Sequence, residues 1–178
     1  MRTRPFTRRL AGFGAALTLL AGLGLTAAPP AHALSTVECA GSAALTFHPG
    51  VTLTPQPIAV HADASFAPCV STDLAIVSAT SSVNASGTLS CLTGTTTGSQ
   101  DISWNDGSHS VISFTGVVGV QPGGQKAVVL TGTVTGGNAF VGGTVTETLI
   151  FITTQSLQCL SPEGITSGGG PATINITA

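Results

Sequence analysis

From residue 34 onward the chain alternates apolar and polar residues with a period of two and breaks at intervals on Gly and Pro. An extended strand satisfies that pattern and a helix does not. In Val37 to Phe47 the odd positions Val37, Cys39, Gly41, Ala43, Leu45 and Phe47 make one apolar face, while Glu38, Ser42, Thr46 and His48 mark the other. His48-Pro49-Gly50 and Thr54-Pro55-Gln56-Pro57 then interrupt the chain, and Ile58 to Phe66 supplies a second strand. The two read as a hairpin. Matching their apolar faces pairs Phe47 with Val60 and sets Cys39 opposite Pro68, so a one-residue bulge near Pro68 is needed to bring Cys69 opposite Cys39.

Further strand material follows at Leu74 to Val83 and Gly87 to Cys91, then a loop at Gly94 to Ser99. A second hairpin turns through Ser103-Trp104-Asn105-Asp106-Gly107. A two-residue Asp-Gly turn would put Ile112 and Phe114 on the face away from Trp104. A three-residue loop, Asn105 to Gly107 with the glycine in a bulge, gathers Ile102, Trp104, Ile112 and Phe114 on one side and is preferred. Val111 to Val120, Ala127 to Thr135 and Val141 to Thr153 continue a meander with turns at Pro122-Gly123-Gly124 and Gly136-Gly137, and Thr173 to Thr177 supplies a last strand. The domain is expected to be all-β, an immunoglobulin-like antiparallel sandwich with a barrel as the alternative.

The first 33 residues are of another kind. Arg2, Arg4, Arg8 and Arg9 precede an apolar run from Leu10 to Leu25, and Ala31-His32-Ala33 places small residues where a signal peptidase cuts. Residues 1–33 are expected to be a signal peptide cleaved between Ala33 and Leu34. The run is shorter than a membrane span, so no stable anchor is expected after processing. Residues 34–178 then form one secreted domain, whose cysteines Cys39, Cys69, Cys91 and Cys159 meet an oxidising compartment and form two disulfides. The hairpin favours Cys39 with Cys69 and Cys91 with Cys159 among the three possible connectivities. No two cysteines have the close spacing of a zinc knuckle, and no metal or other cofactor is expected.

All four arginines lie in the leader. Residues 34–178 keep one lysine, Lys126, against seven carboxylates, a net charge of −6. Such a chain cannot neutralise a row of phosphates, so nucleic acid and anionic membranes are poor partners, leaving a protein, a neutral ligand or a cation.

Glu147 shares its parity with Val145, Leu149 and Phe151, and a carboxylate on an apolar face needs a partner. A two-residue turn at Gly136-Gly137 would place Lys126 opposite it, which reads as a structural cross-strand ion pair. Asp101, Asn105, Asp106 and His109 form the densest polar cluster, and Asp and Asn beside Gly there are turn residues rather than a calcium loop. His48, His61 and His109 read as surface histidines, with Asp63 beside His61. Trp104, Phe47, Phe66, Phe114 and Phe140 fall in apolar phase and read as core. Ser108-His109-Ser110 matches no nucleophile motif, and the expected role is non-enzymatic.

The leader, the Gly/Thr/Val-rich remainder and the segments Cys39-Ala40-Gly41, Pro68-Cys69 and Ser103-Trp104-Asn105-Asp106-Gly107 together resemble small secreted proteins of actinomycete bacteria, most of them without an assigned activity. The chain is similar also to the neocarzinostatin-type apoproteins, acidic immunoglobulin-like sandwiches with two disulfides that hold an apolar chromophore. Leu157-Gln158-Cys159-Leu160-Ser161-Pro162 is loosely similar to the reactive loop that sits beside a cysteine in the subtilisin inhibitors of the same bacteria. The expected function is a secreted structural or interaction module, with a carrier of small apolar ligands and a protease inhibitor as alternatives.

Overall fold

A computed structural model describes residues 34–120, 126–152 and 156–178. The expected signal segment with Ala33, and the expected turn at Pro122-Gly123-Gly124, lie outside the described residues. Period-two alternation becomes eight strands: β1 (Thr36–Val51), β2 (Gln56–Ser71), β3 (Ala79–Leu89), β4 (Gly94–Trp104), β5 (His109–Val120), β6 (Lys126–Gly137), β7 (Thr144–Phe151) and β8 (Ile165–Thr177). A short 3₁₀ helix, η1 (Ser156–Leu160), lies between β7 and β8.

Each strand runs antiparallel to the next, and β8 returns to β1, so the sheet closes into an eight-stranded barrel. The barrel alternative therefore holds and the immunoglobulin-like sandwich does not form. The strand that decides this is β8. It pairs with β1 from Thr36↔Thr177 to Thr46↔Ser167 and with β7 from Thr144↔Thr177 to Leu149↔Ala172. With both of its edges occupied, no strand is left as a free edge and the sheet cannot divide into two layers. Beyond the last strand pair, Ser35 and Ala178 exchange backbone hydrogen bonds of 2.9 and 2.8 Å.

The first hairpin has the expected register. Phe47 pairs with Val60 and Cys39 with Cys69, and the bulge falls where Ala67 and Pro68 on β2 oppose the single residue Ala40 on β1. The disulfides are Cys39–Cys69 and Cys91–Cys159. The second hairpin turns through Asn105 to Gly107: Trp104 N donates to Ser108 O, and Gly107 takes φ +87°, a conformation that glycine adopts without strain. Ile102, Trp104, Ile112 and Phe114 are all buried inside.

Several expected breaks are strand instead: His48-Pro49-Gly50 lies within β1, and Gln56-Pro57 opens β2. Gly94 to Ser99 opens β4, pairing Gly94 to Ser99 with Leu89 to Asn84, because Thr96 points in while Thr95 and Thr97 point out. Gly136 and Gly137 end β6 rather than turn it, and the chain reverses through Asn138 to Gly143.

The larger of two buried apolar clusters fills one end of the barrel. Val37, Phe66, Ile102, Trp104, Ile112, Val134, Ile174 and Ile176 pack there at the Cys39–Cys69 end, each 3% exposed or less. The strands bend tightly enough to close because glycines stand opposite bulky inward residues: Gly41 faces Phe66 and Gly132 faces Phe114. A methyl group on either would run into the carbonyl oxygen of Ser65 or Ser113. The outward positions carry mostly Thr, Ser, Asn and Asp, the reverse of the polar interior and apolar girdle of a membrane barrel.

Candidate functional site: an apolar cup with a polar floor

Next to this cluster, toward the other end, four inward side chains are small. Ala43, Ala62, Ala64 and Ala85 replace the aromatic and Ile layers, and a cavity of about 100 Å³ opens between them and Leu45, Phe47, Val60, Val128, Leu130 and Phe151. None of Phe66, Ile102, Trp104, Ile112, Ile174 or Ile176 reaches it. Several of its walls, including Phe47, Val60, Val128, Leu130 and Phe151, point inward yet are only half-buried, so the cavity is accessible from outside. A cavity of this size holds a molecule of roughly half a dozen non-hydrogen atoms, comparable to the ~150 Å³ engineered site that takes benzene in another protein.

The floor of the cup is polar. Glu147 points from β7 into the interior and is 4% exposed. Gln100 on β4 donates from Nε2 to Glu147 Oε2 at 2.8 Å, and the same Nε2 lies 3.1 Å from Ser81 Oγ on β3. These three residues cross the interior where the packed half meets the hollow half. Burial away from water pushes the Glu147 carboxyl up to about 7 from its ordinary 4.5, and the Gln100 hydrogen bond draws it back only in part.

The expected ion pair between Lys126 and Glu147 is not what forms. Because the chain reverses through Asn138 to Gly143 and not at Gly136-Gly137, the register of β6 against β7 shifts by four residues: Lys126 pairs with Phe151, and Leu130 stands opposite Glu147. Both charged residues line the cup, but Lys126 stands at its rim and Glu147 at its floor. The four-residue offset along β6 is roughly 13 Å at ~3.3 Å per residue.

One side of the rim is knitted together. Cys91 N donates to Thr52 O at 2.8 Å, Leu53 N donates to Cys159 O at 3.3 Å, and the Cys91–Cys159 disulfide ties the β3–β4 loop to η1. Beneath these loops Val51, Ile58, Leu89, Cys91 and Ile165 form a second small apolar cluster. Above them Leu53, Leu92, Leu157 and Leu160 are exposed, the last two at 83% and 75%. All four leucines sit on the loops that the Cys91–Cys159 bridge and its neighbouring hydrogen bonds draw together.

No protein-family model, curated protein or solved structure matches this chain.

The remaining residues singled out from the sequence are placed apart from the cup. Asn105 caps the β2–β3 loop, its Oδ1 accepting from Val77 N and Ser78 N at 2.8 and 2.9 Å and its Nδ2 donating to Ala75 O. Asp106 accepts from Ser108 N and Ser108 Oγ, and these bonds lower its carboxyl below the usual value. The cluster does the work of turns. Asp101 points to solvent, and His109 N donates to Asn138 Oδ1 in the neighbouring loop. His61 lies 3.4 Å from Asp63 and 3.2 Å from Asn84 Oδ1 on the outer surface, where such a pair is worth little. His48 is also exposed. Among the described residues no group of three or more His, Cys, Asp or Glu is arranged to hold a metal ion. Trp104 packs edge-on against Phe140 and donates to Ser110 Oγ at 3.0 Å. Leu157 to Leu160 belongs to η1, a compact turn rather than the extended strand that inserts by β-addition into a partner's cleft.

Gln100 and Ser81 carried no marker of function in the sequence. The signal for Gln100 is its parity, since it alternates in phase with Ile102 and Trp104 and so must point inward.

Proposed function

We propose that residues 34–178 form a secreted, non-enzymatic carrier for a small and mostly apolar molecule. The observation that supports this reading is the half-hollow barrel, whose accessible apolar cup ends on the buried Glu147–Gln100 pair. A barrel that needed only to be a stable module would fill both ends, because each unfilled methyl-sized void costs about 1 kcal/mol. Here four alanines keep space open in one half while Trp104 and Phe66 fill the other. Small-ligand sites combine such apolar walls with a few placed polar groups, and eight-stranded barrels are of the size that holds one small ligand. Exposed Leu53, Leu92, Leu157 and Leu160 on the loops of the cup end suit an apolar source. The two disulfides fit export, as does the leader sequence.

The test is a titration of the purified full chain, both disulfides formed, with half-dozen-atom apolar probes followed by ¹H–¹⁵N NMR. Binding within the cup shifts amides of Ala62, Ala85, Val128 and Leu130 and leaves those around Trp104 still. Shifts confined to the outer surface, or none at any probe concentration up to solubility, overturn the proposal.

A further inference from the structure

We propose that the ligand of the cup is an amine: a small apolar body carrying one protonatable nitrogen, seated with that nitrogen against Glu147. The inference rests on the carrier reading and goes further by naming the ligand's polar group. Three observations converge on it.

Glu147 sits at the bottom of an apolar cavity, where a carboxylate is costly unless a cation or several donors compensate it. Among the described residues its hydrogen-bond partner is Gln100, which donates to Oε2. Glu147 lines the cavity, and the hydrogen bond it accepts from Gln100 goes to Oε2, which leaves Oε1 for a ligand. The floor thus offers one unfilled acceptor, already supported in its charged form by a donor from behind.

Among the described residues no cation fills this role. Lys126 is the single lysine or arginine of residues 34–178, and it lies at the rim, opposite Phe151. It is also the other ionisable side chain lining the cup among the described residues, since Cys91 is held in a disulfide. Leu130 and Ile174 stand opposite Glu147 on β6 and β8, and Gln100 reaches it from β4 with Ser81 of β3 behind, all without charge.

The surface field points the same way. A net charge of −6 over residues 34–178 raises the local concentration of cations and repels carboxylic acids. A ligand with an anionic head would meet this field outside and a buried carboxyl within. An amine is drawn in by the first and paired by the second, with its hydrocarbon part against Ala62, Ala85, Val128 and the stem of Lys126.

The test compares n-pentylamine, 1-pentanol and pentanoate, which share a chain length and differ in the head group, on the full chain at pH 8.5. The amine is expected to bind at least tenfold more tightly than the alcohol, with the largest shifts at Glu147, Gln100 and Leu130, and pentanoate the least tightly. Below about pH 7 a proton competes with the amine for the carboxylate, and the amine's affinity falls about tenfold per pH unit while the alcohol's does not. Glu147→Gln, which keeps the acceptor for Gln100 and removes the charge, brings the amine-to-alcohol ratio to near one. If 1-pentanol or pentanoate binds as tightly as the amine, or the ratio survives Glu147→Gln, the amine inference fails and the carrier reading stands. If none of the three binds, both fail together.

Discussion

Gln100 on β4 reaches across the barrel to Glu147 on β7, Nε2 to Oε2 at 2.8 Å, and the two are separated around the wall by β5 and β6. The contact spans the interior rather than following the sheet. It lies between the large apolar cluster and the cup, and the raised Glu147 carboxyl makes it a source of pH-dependent stability.

Between about pH 4.5 and about 7 the folded protein keeps a proton on Glu147 that the unfolded chain has already released. The native state then binds more protons, so stability falls as pH rises through that window and levels off above it. The size of the fall is about 3 kcal/mol. Glu147→Gln removes this component. Urea unfolding at pH 5 and pH 8 should show wild-type stability dropping by about that much more than the variant's, and equal drops in both would contradict the burial of this carboxyl.

Gln100→Leu takes away the donor and leaves the carboxyl in an apolar interior. The expected loss is about 1–3 kcal/mol at pH 8, where Glu147 is charged, and smaller at pH 5, where it is protonated. Denaturation at the two pH values separates this from a packing defect, which would cost the same at both.

Ser110 Oγ accepts from Trp104 Nε1 and donates to Ala139 O at 2.8 Å, linking β4, β5 and the β6–β7 loop. Ser110→Ala orphans a buried indole N–H and should cost about 1–3 kcal/mol. Trp104 is the single tryptophan and is 3% exposed, so its emission is blue-shifted in the folded state and reports the transition directly.

Replacing both Cys91 and Cys159 by Ser opens a 68-residue loop, for which the chain-entropy argument gives about 4 kcal/mol. The local effect should be confined to the rim. Hydrogen exchange is expected to speed up in Ser90 to Thr93 and in η1, while the amides around Trp104 change only as global stability changes. Fast exchange spreading evenly through the barrel would show that the bridge supports the whole wall instead.

Much of the local geometry was legible because it depends on neighbours in sequence. The parity of Val37 to Phe47 against Ile58 to Phe66 specifies both Phe47↔Val60 and the extra residue at Pro68 that aligns Cys39 with Cys69. The need to gather Ile102, Trp104, Ile112 and Phe114 specifies the Asn105 to Gly107 loop. Closure was not legible. It depends on β8, whose Gly168-Gly169-Gly170-Pro171 stretch has no alternation to read, and on its pairing with β1, some 130 residues away. The site was half legible. Alternation correctly turned Glu147 toward the apolar face, but Gly136-Gly137 looked like a turn, and that error of register supplied Lys126 as a false partner. Gln100 comes from a strand three places round the wall, a relation that only the closed ring creates.

The closed ring also bears on how the chain could be cut and held. Ser35 and Ala178 lie side by side at the packed end, and the cup opens at the far one. A short glycine linker could join those two positions and new ends be opened at Leu53 to Pro55, giving a circular permutant with the same wall. Conversely, a protein attached to a solid support through either of its strand ends would stand on its filled half, with the rim turned outward and free to sample whatever flows past.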